Sequence, residues 1–296
     1  MTSGAHALRH HAPAAAAALC AVEAALWSDA ADAGLTGIVA TCGLRSAGLL
    51  GLDPLPCPPH GPGPWTADDG AVVTFAEQTC LDVAAVSDGQ RTAFVAAAGK
   101  HAGTLAAALW VTEFLPRTRH ALDALFGPGS WPAAPAAPPP GGIWAALDGL
   151  IRSVPALDTL DPVTSELIRL RGARQHDCRL CRSLRSRSAL RAGATDATFD
   201  AVDHHADSQL SPLQRAALAF TDAMIWTPGH LDPAAVERLR AEADAAQQVE
   251  VVLDVTRNAL NKVAVALGAD AAHVENGIEI YDVGPDGELQ YGLALD

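Results

Sequence analysis

The sequence predicts an all-α protein. Alanine dominates the composition and aromatic residues make up only 5% of the chain. Alanine and leucine are strong helix formers, whereas β-branched and aromatic residues favour sheet. Helix starts recur in the second half, where an N-cap residue precedes a proline at Asp161-Pro162, Ser211-Pro212 and Asp232-Pro233. We therefore expect several short helices packed as a bundle, with the mostly apolar segment 249–267 as a longer core helix.

Length and charge limit the number of domains and the kinds of partner. A chain of 296 residues with 49% apolar residues fits two domains of roughly 100–200 residues each. The net charge of −14 repels phosphate backbones and anionic lipid, so we expect neither a nucleic-acid nor a membrane partner. The longest apolar run, 12–26, is mostly alanine and contains Pro13 and Glu23, which disfavours a membrane span or a secretory signal.

The cysteines indicate a reducing compartment. Six cysteines are scattered along the chain with only one close pair, unlike the dense disulfide framework of a small secreted domain. We therefore predict a cytoplasmic protein. Four isolated cysteines, Cys20, Cys42, Cys57 and Cys80, are expected to be small buried or half-buried hydrophobic side chains.

An internal duplication predicts the domain organisation. Prolines and glycines in 128–142 exclude a helix or central strand there, so this segment is predicted to be a linker running over the surface. Residues 1–127 and 143–275 align at a constant offset of 145, which pairs Gly48 with Gly193 and 71–75 with 216–220. The first copy carries Ala21, Ala33 and Thr36 where the second has Glu166 and two cysteines.

The C-terminal segment, 276–296, differs in pattern from the rest. Residues 278–283 alternate between apolar and polar, a Gly-Pro-Asp-Gly turn follows at 284–287, and 289–293 is again apolar and polar. This pattern is typical of a β-hairpin. Because a lone hairpin is marginally stable in water, we expect it to pack on a domain or a neighbouring subunit.

The close pair, Cys178-Arg179-Leu180-Cys181, carries the candidate chemistry. Asp177 is a suitable N-cap, which would place Cys178 at the first position and Cys181 in the first turn of a helix. Free backbone N–H groups there stabilise a thiolate, and Arg185 would add a positive charge one helical turn from Cys181. Both sulfurs would face one side, so a disulfide between them is feasible.

Glu166 lies too far along the chain to reach the pair on one straight helix. Fifteen residues separate it from Cys181, which corresponds to about 22 Å. The chain must therefore turn near 175–177 if Glu166 is to serve the thiols. His176, in that turn, is expected to be solvated.

The residues around the cysteine pair have a characteristic spacing. The segment begins with Glu166-Leu-Ile-Arg-Leu-Arg, the Cys-x-x-Cys pair follows twelve residues after Glu166, and Ala192-Gly193 comes next. This pattern resembles the AhpD-like alkylhydroperoxidase (carboxymuconolactone decarboxylase) family, over 143–270 and, through the repeat, weakly over 18–127. The resemblance implies two tandem helical bundles that associate, here as a dimer or trimer. The histidine of the family pattern falls on Arg185 in this chain, which leaves Arg185 and His176 as auxiliary candidates.

The resemblance also implies a thiol-dependent peroxidase or disulfide oxidoreductase of the peroxiredoxin type, with an antioxidant role. Cys181 would attack a small peroxide or disulfide, Cys178 would resolve, and Glu166 would accept a proton. An external dithiol would reduce the pair, and neither a metal nor an organic cofactor is required.

Several alternatives stay open. The carboxymuconolactone decarboxylase branch suggests a cofactor-free decarboxylase or isomerase in which Arg185 holds a substrate carboxylate. A non-catalytic assembly or binding protein could retain the fold. A zinc site would need His204 and His205 beside the two thiols. Five arginines would form a basic helix face: Arg179, Arg182, Arg185, Arg187 and Arg191. This face would either form ion pairs with neighbouring acidic residues or bind an anionic substrate.

Overall fold

The protein is all-α with a small sheet, as predicted; 69% of it is helix and 4% is strand. The computed structural model describes residues 3–58, 67–134 and 137–295. The helices before the proline-rich segment are α1 (Gly4–His11), α2 (Pro13–Asp32), α3 (Thr36–Leu50), α4 (Ala67–Leu81), α5 (Asp88–Ala98) and α6 (Ala102–Phe126).

The second half contains shorter helices. They are α7 (Gly142–Ser153), α8 (Pro162–Gln175), α9 (Arg179–Arg182), α10 (Arg187–Arg191), α11 (Asp196–Asp200), α12 (Pro212–Trp226), α13 (Pro233–Glu242), α14 (Ala245–Asn258) and α15 (Asn261–Leu267). Four 3₁₀ turns, Val83–Ala85, Gly99–His101, Ala201–Asp207 and Pro228–His230, connect described helices.

The three predicted helix starts in the second half are confirmed. The Asp161 side chain accepts hydrogen bonds from the backbone N–H groups of Val163 and Thr164, each at 3.0 Å. Ser211 forms a reciprocal capping box at the start of α12, and Asp232 caps α13. Each cap satisfies N–H groups that a helix leaves without an internal partner.

One continuous hydrophobic core joins the two sides of the proline-rich segment. It includes Leu26 and Phe114 from the first half together with Phe220 and Val252 from the second. Helix α7 packs along α2, and α6 contacts α14. The proline-rich segment does not only run over the surface. Its Trp131 packs against this core, and Trp131 Nε1 donates to Asp123 Oδ2 at 3.0 Å.

The element bounds recur at the offset read from the sequence. Helices α4 and α12 begin and end 145 residues apart, as do the 3₁₀ turns Val83–Ala85 and Pro228–His230, and α5 and α13 begin 145 residues apart. This recurrence supports the predicted duplication. Superposition of 18–127 on 143–270 would test it directly.

The predicted single helix over 249–267 is wrong, since α14 ends at Asn258 and α15 begins at Asn261. The N–H groups of Lys262 and Val263 bond to the carbonyls three residues earlier, at 3.0 and 3.1 Å. Trp110 Nε1 also donates to the Ala259 carbonyl, at 3.0 Å. These bonds tighten the chain into a short 3₁₀-like turn and divide the helix.

The predicted C-terminal hairpin is confirmed. Strands β2 (Glu279–Val283) and β3 (Leu289–Gln290) pair antiparallel, with Val283 opposite Leu289. A third strand, β1 (Leu184–Ser186), pairs parallel with β2 and sets Ser186 opposite Tyr281. Because β1 lies just after Cys181 in the chain, the hairpin docks beside the cysteine pair.

Two helical stretches in the described residues are long and apolar enough to cross a membrane by length and composition. They are Pro13–Asp32 and Asp88–Phe126, with mean hydropathies of 1.3 and 1.2. Half of each apolar window is buried inside the protein. Buried core helices meet the same criterion, so these stretches do not by themselves indicate a membrane protein.

Candidate dithiol site

A helix-terminating turn positions the cysteine pair. His176 is the C-cap of α8, and Asp177 follows with a left-handed φ of +51°. The N–H of Cys178 bonds to the Ala173 carbonyl at 2.9 Å, and the N–H of Asp177 bonds to the Arg174 carbonyl at 3.2 Å. These two bonds define a Schellman motif. The predicted turn at 175–177 is confirmed, and it reverses the chain so that the cysteines return towards α8.

The predicted N-cap role of Asp177 is wrong. Cys178 is the N-cap of α9, and its Sγ accepts from the Cys181 N–H at 3.3 Å. Asp177 cannot cap because it adopts the left-handed conformation that closes α8, and its carboxylate pairs with Arg182 instead. Helix α9 has only four residues, so a long-helix dipole does not act on Cys181.

The two thiols are unlike each other. Cys178 is 1% exposed and packs in the hydrophobic core, whereas Cys181 is partly exposed, and both are free. A hydrogen bond from the Cys178 thiol, the Arg169 charge and the Asn261 amide lower the pKa of Cys181 to about 6 against the effect of burial. The same hydrogen bond, with burial, raises the pKa of Cys178. These contacts therefore favour the thiolate at Cys181 and the protonated thiol at Cys178.

Arg169 on α8 is the cation beside Cys181. Its Nη1 donates to the Cys181 carbonyl at 2.8 Å and its Nη2 to the Leu184 carbonyl at 3.0 Å. The side chain is almost fully buried, and burial opposes its charge, but the Glu166 carboxylate keeps the pKa of Arg169 well above its usual range. Arg169 therefore holds the backbone from Cys181 to Leu184 while it favours the thiolate.

Glu166 supports Arg169 and contacts neither sulfur. It accepts two hydrogen bonds from Arg169, at 2.6 and 2.7 Å. It also accepts one from the Ser186 N–H at 3.1 Å and one from the Tyr281 hydroxyl at 2.8 Å. Four donors already occupy the two carboxylate oxygens. The geometry therefore favours a positioning role for Glu166 over the predicted role of proton acceptor.

His176 is buried, so its predicted solvation is wrong. It is 4% exposed, and burial, followed by the nearby Lys262 charge, lowers the pKa of His176 to about 3. Its Nδ1 lies 3.1 Å from Asn261 Oδ1. Because an amide oxygen only accepts, neutral His176 donates through Nδ1 and fixes the orientation of Asn261.

Asn261 completes a chain from His176 to the reactive thiol. Its Nδ2 donates to Cys181 Sγ at 3.6 Å. Sequence analysis missed this residue because it lies 80 positions from Cys181 and belongs to no local motif. It reaches the sulfur because the break between α14 and α15 turns the chain at that point.

Arg185 does not occupy the predicted position one helical turn from Cys181, because residues 184–186 form β1. Its Nη1 donates to the carbonyls of Arg182 and Leu184, at 2.9 and 2.7 Å. Its guanidinium lies over the Phe199 ring, 5.1 Å from the centroid. The structure thus gives to Arg169 the electrostatic role that the sequence suggested for Arg185.

Ion pairs hold much of the predicted basic face. Arg179 pairs with Asp270 at 2.6 Å and Arg187 with Asp282 at 3.0 Å. Within 3–58, 67–134 and 137–295, no three His, Cys, Asp or Glu side chains converge on a metal-sized site. His205 instead bonds Asp222 at 3.0 Å, so the alternative zinc site with His204 and His205 is not formed.

The isolated cysteines differ in burial. Cys42 and Cys80 are buried and Cys20 is half-buried, as expected. Cys57 is exposed, and the prediction is wrong for this residue. Burial raises the pKa of the Cys57, Cys20 and Cys80 thiols, so each is a weaker thiolate source than Cys181.

Two adjoining cavities meet at the site. The first, here called the thiol cavity, has a volume of about 250 Å³ and is lined by Cys181, Leu184, Asn261 and Tyr291 among others. The second, the acidic cavity, has a volume of about 330 Å³ and is lined by Ser165, Glu250 and Asp254 among others. Four residues line both cavities: Arg169, Arg257, Asn258 and Tyr281.

The fold and the site together define an all-α protein with an asymmetric pair of free thiols between a buried ion pair and a small cavity. The chain belongs to the same family as two proteins of Mycobacterium tuberculosis. They are named Uncharacterized protein MT2376 (strain CDC 1551 / Oshkosh) and Uncharacterized protein Rv2313c (strain ATCC 25618 / H37Rv). Each is 37% identical to this chain over 274 residues, or 88% of this chain and 93% of the relative.

No family model and no solved structure matches the chain. The resemblance to the AhpD-like family therefore stays a prediction based on the residues around Glu166, Cys178 and Cys181.

Proposed function

We propose that the protein is a dithiol oxidoreductase that reduces a small peroxide or disulfide with Cys181 and Cys178. The observation that carries the proposal is the asymmetry of the pair. Cys181 has a lowered thiol pKa and lines the thiol cavity, whereas Cys178 is buried beside it as the protonated partner. An accessible thiolate next to a protonated thiol suits an attacking and a resolving cysteine.

With a peroxide, the Cys181 thiolate attacks one oxygen and breaks the O–O bond. The leaving alkoxide takes a proton from solvent, and Cys181 becomes a sulfenic acid. The Cys178 sulfur then attacks the Cys181 sulfur. Its proton and the departing hydroxide form water, and a Cys178–Cys181 disulfide results. An external dithiol returns two electrons through two exchange steps and restores both thiols.

The surrounding residues act on the thiolate and its position. Arg169 and Asn261 stabilise the negative sulfur, and His176 fixes Asn261. Glu166 and Tyr281 keep Arg169 in place. The dithiol chemistry needs a reducing environment to regenerate the thiols, so a cytoplasmic location forms part of this proposal.

One observation supports the lyase alternative, since Arg185 lines a cavity with Arg174, Arg179 and Arg182 and its buried Nε has no hydrogen-bond partner among the described residues. Arg185 would have to hold a substrate carboxylate, but its Nη1 is engaged by two backbone carbonyls and its guanidinium covers an aromatic ring. A non-catalytic binding protein is the remaining alternative, and it predicts that the dithiol does not turn over.

A thiol titration combined with turnover would test the proposal. The reduced protein is treated with stoichiometric hydrogen peroxide or tert-butyl hydroperoxide, and free thiols are counted. We expect the loss of two thiols, a Cys178–Cys181 disulfide in peptide mass spectra, and catalytic peroxide consumption with dithiothreitol. Cys181→Ser should abolish the reaction, whereas Cys178→Ser should stop at the sulfenic acid.

Cys57→Ser is the matched control, because Cys57 is exposed and isolated; this variant should lose one thiol from the count and keep the reaction. An unchanged thiol count in the parent protein, or equal peroxide consumption by Cys181→Ser, would contradict the proposed function.

A further inference from the structure

A carboxyl group and a guanidinium group on α14 line the cavities without forming an ion pair with each other. Asp254 is 6% exposed and lines the acidic cavity, and its Oδ2 is buried without a hydrogen-bond partner among the described residues. Arg257 lies three residues further on and lines both cavities. Ser165 bonds the same carboxyl group, so Oδ2 is the carboxyl atom that lacks a partner, and because buried polar atoms are nearly always hydrogen-bonded it is a candidate ligand contact.

Arg257 does not neutralise Asp254, although residues at this spacing on a helix are neighbours that commonly pair. The Arg257 Nε donates to the Ile151 carbonyl at 3.0 Å. That bond holds the guanidinium on the α7 side, and no ion pair joins Arg257 to an acidic group in the described part of the chain. Asp254 therefore lines the acidic cavity and Arg257 lines both cavities without an ion pair between them, although the Arg257 charge acts to lower the pKa of Asp254.

Glu250 increases the need for a cation at Asp254. It lies one helical turn earlier, and its Oε2 accepts from the N–H groups of Thr159 and Leu160, at 2.8 and 3.2 Å. Burial, followed by the Glu250 charge, raises the pKa of Asp254 to about 7. An ammonium group seated at Asp254 would donate to the unpartnered Oδ2 and would favour the ionised carboxylate.

We infer that the two cavities bind an α-amino acid. Its ammonium group bonds Asp254, its carboxylate bonds Arg257, and its side chain passes Tyr281 into the thiol cavity towards Cys181. The cavity volumes of about 250 and 330 Å³ suit a ligand of this size. This inference rests on the proposed dithiol function, and it names the substrate class as the disulfide of a sulfur-containing amino acid.

The reaction with such a disulfide balances without a further reagent. The Cys181 thiolate attacks one substrate sulfur, the substrate S–S bond breaks, and the first amino-acid thiolate leaves and takes a proton from solvent. Cys178 loses its proton to solvent and attacks Cys181 Sγ, which expels the second thiolate. The protein is oxidised by two electrons, and the external dithiol of the proposed function returns them.

Binding of three redox-silent thioethers to the reduced protein, measured by isothermal titration calorimetry, tests the inference. S-methyl-L-cysteine carries both charged groups, 3-(methylthio)propionate only the carboxylate, and 2-(methylthio)ethylamine only the ammonium. Each charge-assisted hydrogen bond contributes enough to change affinity roughly tenfold or more. We therefore expect S-methyl-L-cysteine to bind at least about tenfold more tightly than either other probe. Equal affinities, or no binding of S-methyl-L-cysteine at millimolar concentration, would overturn the inference.

Two variants test which side chain binds the ammonium group of the ligand and which binds its carboxylate. Asp254→Asn should weaken S-methyl-L-cysteine and the amine but leave 3-(methylthio)propionate unchanged. Arg257→Gln should weaken both carboxylate probes and spare the amine. Glu242→Gln, an exposed change on α13, is the control and should change none of the three. If each probe binds Asp254→Asn, Arg257→Gln and the control with the same affinity, the inference is also overturned.

These measurements do not depend on catalysis. Failure of the amino-acid site leaves peroxide-dependent loss of two thiols intact, whereas failure of the dithiol chemistry leaves the binding pattern intact. The two outcomes are therefore distinguishable.

Discussion

The side-chain amide of Asn261 donates to Cys181 Sγ across 3.6 Å, while its oxygen is held by buried His176 at 3.1 Å. A donor to sulfur favours the charged form of the thiol. The partner of Cys181 therefore comes from the start of α15 and not from the segment around the Cys-x-x-Cys pair.

Asn261→Ala should raise the pKa of Cys181, because it removes a donor to the thiolate. The rate of iodoacetamide alkylation, measured from pH 5 to 10, should show its midpoint shifted upward in the variant. Asn258→Ala is the matched control, since Asn258 lines the same cavity without a described bond to the sulfur. Superimposable profiles for Asn261→Ala and the parent would rule out this role.

Cys178→Ala should raise the pKa of Cys181 further, since the Cys178 thiol is the strongest influence lowering it to about 6. At pH 7 the thiolate fraction falls as the pKa approaches that of an ordinary thiol, and alkylation should slow by roughly tenfold or more. Cys178→Ser keeps a donor and should lie between the parent and the alanine variant. Faster alkylation of Cys178→Ala at pH 7 would contradict the assigned direction.

Asp254→Asn should stabilise the protein above pH 7 and lose that advantage near pH 4. Burial, followed by Glu250, raises the pKa of Asp254 from 3.8 to about 7. Below pH 4 this carboxyl is protonated in both states. Between pH 4 and 7 it ionises only in the unfolded chain, so the parent loses stability as the pH rises. Above pH 7 the loss is constant, on the order of 4 kcal/mol.

Urea unfolding of Asp254→Asn and the parent at pH 4, 6 and 8 would measure this dependence. Glu242→Gln, an exposed change, should show a difference from the parent that stays small at each pH. A stability difference for Asp254→Asn that did not change with pH would show that Asp254 is ionised in the folded protein throughout this range.

Tyr281→Phe should loosen the C-terminal hairpin, because it removes the hydroxyl that donates to Glu166 at 2.8 Å. The loss of one buried hydrogen bond to a carboxylate costs about 1–3 kcal/mol. Amide hydrogen exchange in Glu279–Val283 should accelerate. Tyr291→Phe is the control, since Tyr291 is partly exposed and its hydroxyl has no described hydrogen bond. Equal exchange in the two variants would argue against the bond.

The chain should associate as a dimer or trimer. This prediction rests on alanine-rich helices, whose shallow apolar faces bury little area alone, and on the AhpD-like resemblance. Multi-angle light scattering at micromolar concentration should give two or three times the chain mass of 30.5 kDa. A mass of one chain would refute the association.

The sequence by itself determined the class and the local signals. The all-α class, the three proline-marked helix starts, the turn before Cys178 and the C-terminal hairpin each depend on propensities or hydrogen bonds within a few residues. Such interactions can be predicted from residues that are close together in the sequence. The candidate residues Cys178, Cys181 and Glu166 were found in the same way, through their spacing.

Only the tertiary structure decided what those residues contact. Asp177 adopts a left-handed conformation, so Cys178 is the N-cap of α9. Arg185 lies in β1 and not one helical turn from Cys181, and the break after α14 places Asn261 beside the Cys181 sulfur. The positions of Arg185 and Asn261 depend on segments that are distant in the sequence and meet through packing, whereas the Asp177 conformation is set by local backbone hydrogen bonds. Burial then set the protonation states, since it lowers the pKa of His176 and raises that of Asp254. Burial depends on the whole fold, and no local pattern contains it.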